Sequence, residues 1–383
     1  MSDVIERLEA LAKSPPEDPV ARLNLHNAAK RLVAATEDPS NIICRVNGSP
    51  LILTFCQVAC DLNIFVHLTE AHSPLSSISL AALSAASPKF LSRVLRFLAS
   101  NDIIQETGED EFTANAVTRT LARPGFKAGI AHTFMVVMPC LQETPKYLAD
   151  TRYANPTDVF HSPFQIAHKT DKPSYVWGME QPELMANFNV WMAEQHLDQK
   201  TWLDVFDFAQ HVGNSADDSL IFVDIGGGMG QQCALLKERH PHVLGRVVLQ
   251  DQPFVIPYAV PVDGVEKQEF DLWTEQPLKG ARTYYMRNIL EDYPDDRAMV
   301  IIKNTMSAMS QDSVLIIDEM IIPNRGANPR STLQDLTMMA TLASTERTER
   351  QWDDLLDRAG LAVLQKTAYN AVTGESIIVT TLR

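Results

Sequence analysis

The sequence predicts an α/β domain with a doubly wound, mostly parallel sheet behind a helical N-terminal domain. Three observations predict it. From Ser219 onward, short apolar runs suited to buried strands alternate with helix-forming stretches. The first of those runs leads directly into a glycine-rich turn, GGGMG at 226–230. Upstream, residues 79–114 read as two helices and then a hairpin.

The chain has 383 residues, enough for two domains, and a formal charge of -15. That charge repels nucleic acid and an acidic membrane surface, leaving a small, neutral or apolar molecule as the favoured partner. The five cysteines show no metal-ligand spacing, so no metal is expected and reduced, mostly buried thiols are. Apolar runs such as PLILTF and IFVDI are too short to cross a bilayer. With no signal peptide at the start, the expected location is cytoplasmic.

In chain order, Asn24 to Thr36 is rich in Ala and Leu and reads as a helix. Pro50 to Phe65 reads as a second helix, apolar on most faces, which one domain cannot easily bury alone. Exchange of N-terminal helices in a homodimer follows as the expectation. SLAALSA and SPKFLSRVLRFLAS are helices, the latter opened by Ser87-Pro88, and IIQETGEDEFTA is a hairpin. This is a winged-helix outline. Its second helix carries Lys89, Arg93 and Arg96, but no basic arm follows, so dimerisation is favoured over DNA binding. Residues 125–215 are helical, with Met and aromatic stripes (FMVVM, YVWGM, FNVWM) suited to core or to pocket lining. The expected divisions are a dimerisation domain at 1–120, a helical linker and substrate-pocket region at 121–215, and a cofactor domain at 216–383.

SLIFVDI is a strand buried on both faces, and GGGMG opens a helix reaching Arg239. A G-x-G-x-x-G dinucleotide pattern is not completed, because Gln occupies position 231. Asp224 precedes the glycines, where a carboxylate can receive a ligand ammonium. RVVLQD ends in Asp251, placed to accept ribose hydroxyls, and Asp271 follows a third strand, placed for an adenine amino group. Three carboxylates at successive strand ends suit an adenosyl group bearing positive charge and would repel a phosphate. ARTYYMRNI, DSVLIIDEMIIP and ESIIVTTLR are further strands. STLQDLTMMATLAST and ERQWDDLLDRAG are helices, the latter stopped at Gly360.

VDIGGGMG, LQDQP, YYMRNILEDYPDD, IIDEMIIP, QDLTMMA and ERTERQW together carry a resemblance. From about residue 40 to the C-terminus the chain resembles S-adenosylmethionine-dependent O-methyltransferases of the plant and fungal small-molecule class. The resemblance implies a class I methyltransferase domain behind a winged-helix dimerisation domain. It implies S-adenosylmethionine held by Gly226, Gly227, Gly228, Gly230, Asp251, Asp271, Leu272 and Arg287. The family's base is a His followed by Asp-Trp; here those positions read Glu291, Asp292 and Tyr293. The two acids that orient that His map to Glu319 and Glu346. Pocket positions carried over are Trp177, Met179, Met338 and Met339; His161 reads as a loop or surface residue able to rim the cavity.

Histidine suits the removal of a phenol or enol proton because its pKa lies near neutrality, whereas a free Glu lies roughly two units lower, near 4.3. Crowding by Glu319 and Glu346 would raise Glu291 again, making it either a usable base or a neutral proton donor. Some fungal members that lack the His catalyse dehydration and pericyclic ring formation, and His132 with Asp292 resembles their grip on a substrate carbonyl. The expected function is therefore cyclisation of an apolar polyketide- or pyridone-like intermediate without methyl transfer. O-methyl transfer onto a phenol or enol, with Glu291 as base, is the alternative. A third reading is a dimeric binding partner on the same fold.

Overall fold

A computed structural model describes residues 2–194, 200–370 and 373–383. The chain divides into two compact units, one ending at Ala131 and one beginning at His132. The helical stretch expected at 121–215 as its own region falls mostly within the second unit.

In the first unit, the helix expected from Pro50 to Phe65 begins earlier and ends earlier, spanning Pro39–Asp61. Asp38 caps it by accepting the Ser40 N–H at 2.8 Å, and Pro39 sits in its first turn. Pro50 is internal to this helix rather than its start. Asn63, in the left-handed region at φ 53°, turns the chain into a separate helix, Ile64–Glu70. Only Cys56, Ala59 and Cys60 of the long helix are buried, and Ile43, Val46 and Leu51 stay exposed. By length and composition this helix is long and apolar enough to cross a bilayer, which run-by-run reading missed because Arg45, Asn47 and Pro50 interrupt the apolar stretches.

The winged-helix outline holds. Helices Ser77–Ser84 and Pro88–Ala99 precede an antiparallel hairpin of β1 (Gln105–Gly108) and β2 (Glu111–Thr113). Leu80, Leu91, Leu95, Leu98, Ile104 and Phe112 form its core with Ile64 and Phe65.

The second unit is built on seven strands: β3 (Leu220–Ile225), β4 (Arg246–Asp251), β5 (Val265–Glu269), β6 (Thr283–Arg287), β7 (Val314–Met320), β8 (Leu361–Ala368) and β9 (Glu375–Leu382). Their order is β5-β4-β3-β6-β7-β9-β8, with β3 to β7 parallel and β9 antiparallel to both of its neighbours. β8 is absent from the sequence expectation because it is an edge strand with exposed Val363 and Leu364 and no clean alternation. Both faces of the sheet are covered. Val223, Ile225, Tyr284 and Met286 pack on Trp352 and Leu355, while Ile221, Phe222 and Tyr285 pack on Trp202 and Phe208. That double burial explains why the central strands read as continuous apolar runs. Strand order reverses at β3, and the crevice outside its carboxyl end is where ligands bind in such sheets.

Candidate active site

The glycine turn lies at that crevice. Gly226, Gly228 and Gly230 have φ of 72°, 57° and 87°, a region costly to any residue with a Cβ. The N–H groups of Gly226 and Gly227 donate to the Gln250 carbonyl at 2.8 and 3.1 Å, tying the turn to β4. A Cβ on Gly227 would lie 2.4 Å from both Asp224 Oδ2 and Leu249 Cδ1, whereas one on Gly228 would meet nothing within 4 Å. The turn is closed beneath and open above, the shape of a ligand cradle. Gly227→Ala is therefore expected to abolish calorimetrically detectable S-adenosylmethionine binding; binding within about twofold of wild type would show that the cradle tolerates the shift.

The acids around the turn play unequal parts. Asp251 accepts the Gly228 N–H and the Gln252 N–H, both at 2.7 Å, which fixes its carboxylate at the crevice. Asp271 is exposed beyond β5 and accepts the Trp273 N–H at 3.1 Å; the Leu272 carbonyl accepts from Asn304 at 3.0 Å. Asp224 departs from its expected role. It is 1 % exposed, lies under Gly227 and meets the Cys233 thiol at 3.5 Å, so it supports the turn from behind instead of facing a ligand. Burial pushes its carboxyl up to about 7. Arg287 is likewise committed: Glu375 lies 3.3 Å from it and Asp318 4.0 Å, and Asp318 also binds the Tyr285 and Tyr369 hydroxyls. Asp251, Asp271 and the open glycine face fit an adenosyl ligand.

On the other side of Ile289 stands a buried carboxylate cluster. Parallel pairing sets Arg287 beside Asp318, so Glu319, one residue on, projects to the opposite face. There Glu319 Oε1 accepts the N–H groups of Leu290 (2.7 Å) and Ile289 (3.3 Å). Arg347, 1 % exposed, holds the other side of the same turn: it donates to the Leu290 and Tyr293 carbonyls at 2.7 Å each and to Asp295 at 2.9 Å, and it stacks over Trp352. The 3-10 turn Leu290–Asp292 is thus pinned at both ends, fixing Glu291 and Asp292.

Glu291, Glu319 and Glu346 are 6 %, 2 % and 2 % exposed. Among the described residues, neither Glu346 oxygen nor Glu319 Oε2 meets an N–H or hydroxyl donor. Glu291 and Glu346 stand close enough to share a proton, and a shared proton satisfies both. Burial first, then the neighbouring carboxylates, raise all three well above the ordinary carboxylate range, Glu346 furthest. Burial and the Glu319 charge push Asp292 up to about 7.

Acids with raised folded-state pKa stabilise the fold fully only below their unfolded values, and the contribution disappears as pH rises through the folded values. Buried His132 has the opposite sign, its pKa being lowered, and it acts below about 6.5. Stability should therefore fall by about 1–3 kcal/mol between pH 7 and 8.5, read from urea midpoints. Glu346→Gln should flatten that slope; an unchanged slope would place the titration elsewhere.

His132 ends the helix Pro124–His132, and a π-helical turn, Thr133–Val137, follows it. Single π turns recur at functional sites. Its Nδ1 has no partner among the described residues, burial lowers its pKa, and its ring packs on Phe188 at 5.2 Å. Phe188 meets Tyr175 at 6.3 Å, and the Tyr175 hydroxyl donates to Asp292 at 3.2 Å, so an aromatic wall runs from His132 to Asp292. Sequence reasoning missed Tyr175, Phe188 and Arg347. ERTERQW contained Arg347, but nothing local showed that it folds back onto residues 290–293.

The pocket expectations divide. Met338 is buried and Met339 half-buried on the helix Pro329–Leu342, while Met179 is exposed. Trp177 packs its ring on Phe164 and His168 beside Val136 and Cys140, as core more than lining. His161 lies at the surface: its side chain is 82 % exposed and pairs with Asp158 at 2.7 Å. His168 is half-buried and meets the Val136 carbonyl at 3.0 Å. The five cysteines are unpaired, four of them buried, with Cys44 exposed.

Sheet order, glycine cradle and strand-end acids define a class I methyltransferase fold. Residues 146–362 match the O-methyltransferase domain and residues 52–124 the O-methyltransferase dimerisation domain. The chain belongs to the O-methyltransferase family. It is 35% identical over 359 residues to O-methyltransferase lepI of Aspergillus flavus, covering 92% of each chain. It is 34% identical to O-methyltransferase ucdC of Aspergillus ustus, covering 97% of each, and 32% identical to a demethylsterigmatocystin 6-O-methyltransferase of Aspergillus flavus, covering 92% of each. Among solved structures it superposes on a LepI variant in complex with SAH and a substrate analogue (TM-score 0.90, 33% identity, 100% of this chain and 98% of that one). LepI in complex with SAM and a structure described as a pericyclic reaction enzyme match equally well in TM-score and identity. The family and these complexes bear out S-adenosylmethionine as the expected cofactor.

Proposed function

We propose that this chain binds S-adenosylmethionine and catalyses dehydration, pericyclic ring closure or both on an apolar polyketide- or pyridone-like intermediate of fungal secondary metabolism, without transferring the methyl group. It acts as a homodimer joined through the N-terminal unit, whose exposed apolar helix Pro39–Asp61 needs a cover. The observation that carries the reading is Glu291 at the family's base position, buried among acids whose oxygens lack donors. Such a group holds its proton at neutral pH, which suits an acid and ill suits a base. Likeness to LepI and to a pericyclic reaction enzyme adds support.

In dehydration, the Glu291 carboxyl gives its proton to the leaving hydroxyl, the C–O bond breaks and water departs. The proton lost from the neighbouring substrate atom returns to the carboxylate cluster, so the acid is regenerated. His132, neutral and with Nδ1 free, holds a substrate carbonyl by hydrogen bonding in its N–H tautomer, opposite Asp292 and Tyr175. The aromatic wall excludes water and keeps the reacting carbons together, an effect worth several orders of magnitude in well-oriented systems. Held at the glycine turn, Asp251 and Asp271, the cofactor would supply a positive charge able to stabilise negative charge developing on the substrate.

The alternative, O-methyl transfer with Glu291 as base, draws support from the names of the ucdC and sterigmatocystin relatives and from the open cradle. Purified protein with candidate intermediates, with and without S-adenosylmethionine, separates the two. Product of unchanged formula, or lighter by water, without S-adenosylhomocysteine supports cyclisation. A methylated product with stoichiometric S-adenosylhomocysteine overturns it.

A further inference from the structure

We propose that the acid cluster makes the cofactor groove selective for a cation at the sulfur position: binding S-adenosylmethionine ionises one carboxyl of the cluster other than Glu291 and releases its proton, whereas S-adenosylhomocysteine, uncharged at sulfur, does neither. The inference rests on the cofactor assignment above, not on which reaction follows.

The groove and the cluster are contiguous. A Cβ on Gly226 would strike Ile289 Cδ1 at 2.4 Å, and Ile289 donates its N–H to Glu319. Tyr293 feels Asp251 and Asp271 on the cofactor side and Asp292 on the reaction side. The region is short of positive charge. Against Glu291, Asp292, Glu319 and Glu346 stand two cations among the described residues, Arg287 on β6 and Arg347 ahead of the helix Glu349–Ala359. Arg287 is engaged by Asp318 of β7 and Glu375 of β9, and Arg347 by Asp295 of the helix Asp295–Met306. The other titratable neighbours are Tyr175, Tyr285, Tyr293 and Tyr369, which add no positive charge, and Arg297, which acts on Tyr293 and stacks over Trp273 at 4.3 Å. Asp335 is spent on the Glu346 N–H. Apart from the proton that Glu291 and Glu346 share, Glu319 Oε2 and the Glu346 oxygens have no donor among the described residues. A ligand bringing positive charge into this low-dielectric pocket lets a carboxyl give up its proton; a neutral thioether leaves the proton in place.

Linkage then fixes the sign. If the sulfonium cofactor releases protons on binding, its affinity rises with pH, while that of the thioether stays flat. Sinefungin, with an ammonium in place of the sulfonium and no methyl to donate, should follow the cation.

The test is calorimetric titration of the full-length protein with S-adenosylmethionine, S-adenosylhomocysteine and sinefungin in phosphate and in Tris, whose ionisation heats differ. At pH 8.5 the two cations should bind about tenfold or more tighter than S-adenosylhomocysteine, within the range of ordinary site coupling, and the ratio should shrink by pH 6.5. Their apparent binding heat should differ between buffers by roughly one proton's ionisation, with no difference for the thioether. Glu346→Gln should reduce the ratio; because the wild-type measurement stands alone, misfolding of that variant would leave the test intact. Affinities equal within about twofold at pH 8.5, with buffer-independent heats, would overturn the proposal. A methylated product in the activity assay would sink the cyclase reading and leave this preference standing.

Discussion

Arg347→Met is expected to destabilise the second unit by about 3–5 kcal/mol, the cost of breaking a buried charged network. Methionine fills much of the volume above Trp352 but donates nothing. The Leu290 and Tyr293 carbonyls each lose a donor, at about 1–3 kcal/mol when left buried and unpaired. Asp295 is partly exposed and recovers solvent, so its loss adds little. A charge effect follows as well. The guanidinium holds Glu319 lower than burial alone would, so its removal should raise that carboxyl further and steepen the fall of stability above pH 7. Urea midpoints at pH 7 and 8.5 read both effects. A midpoint within about 0.5 kcal/mol of wild type would show that the 290–293 turn holds its shape without this side chain.

Glu291→Gln should lower turnover of the native intermediate by about 10²–10⁴, the usual worth of a general acid or base. The amide keeps the size of the side chain and a hydrogen-bond donor but has no proton to deliver. The variant therefore separates proton delivery from simple polarisation of a carbonyl: substantial residual rate would assign the latter role to this position. Stability should move the other way. Removing one member of a crowded buried set relieves repulsion, so the variant should be as stable as wild type at pH 7 and more stable at pH 8.5. Loss of both activity and stability would mean that Glu291 supports the turn and is not held in strain by it.

Much of this molecule is legible in one dimension. Continuous apolar runs at 220–223, 247–249 and 314–317 can satisfy their backbone and side chains only as strands covered on both faces, and the helix-forming stretches between them supply the covers. Gly226, Gly228 and Gly230 sit at positive φ as a tight strand-to-helix turn requires. Asp251 falls where the apolar run of β4 stops, whereas Asp271 follows β5, VEKQE, which is mostly polar and half-exposed. The helical boundaries near Pro50 were harder, since proline fixes its own φ and removes one donor without saying whether a helix begins there or runs through it.

Burial of polar groups is another matter, because the environment of a carboxyl is assembled from segments far apart in the chain. Glu291, Glu319 and Glu346 come from a turn, a strand and a loop; only their convergence, away from water and short of donors, turns ordinary acids into proton holders. The same folding hid Asp224 under the cradle, exposed His161 and brought Arg347 onto the turn it pins. Residue type and spacing determined the fold and its adenosyl-binding rim, since both follow from local geometry. Tertiary structure decided the protonation chemistry, since solvent exclusion and charge proximity exist only once distant segments meet.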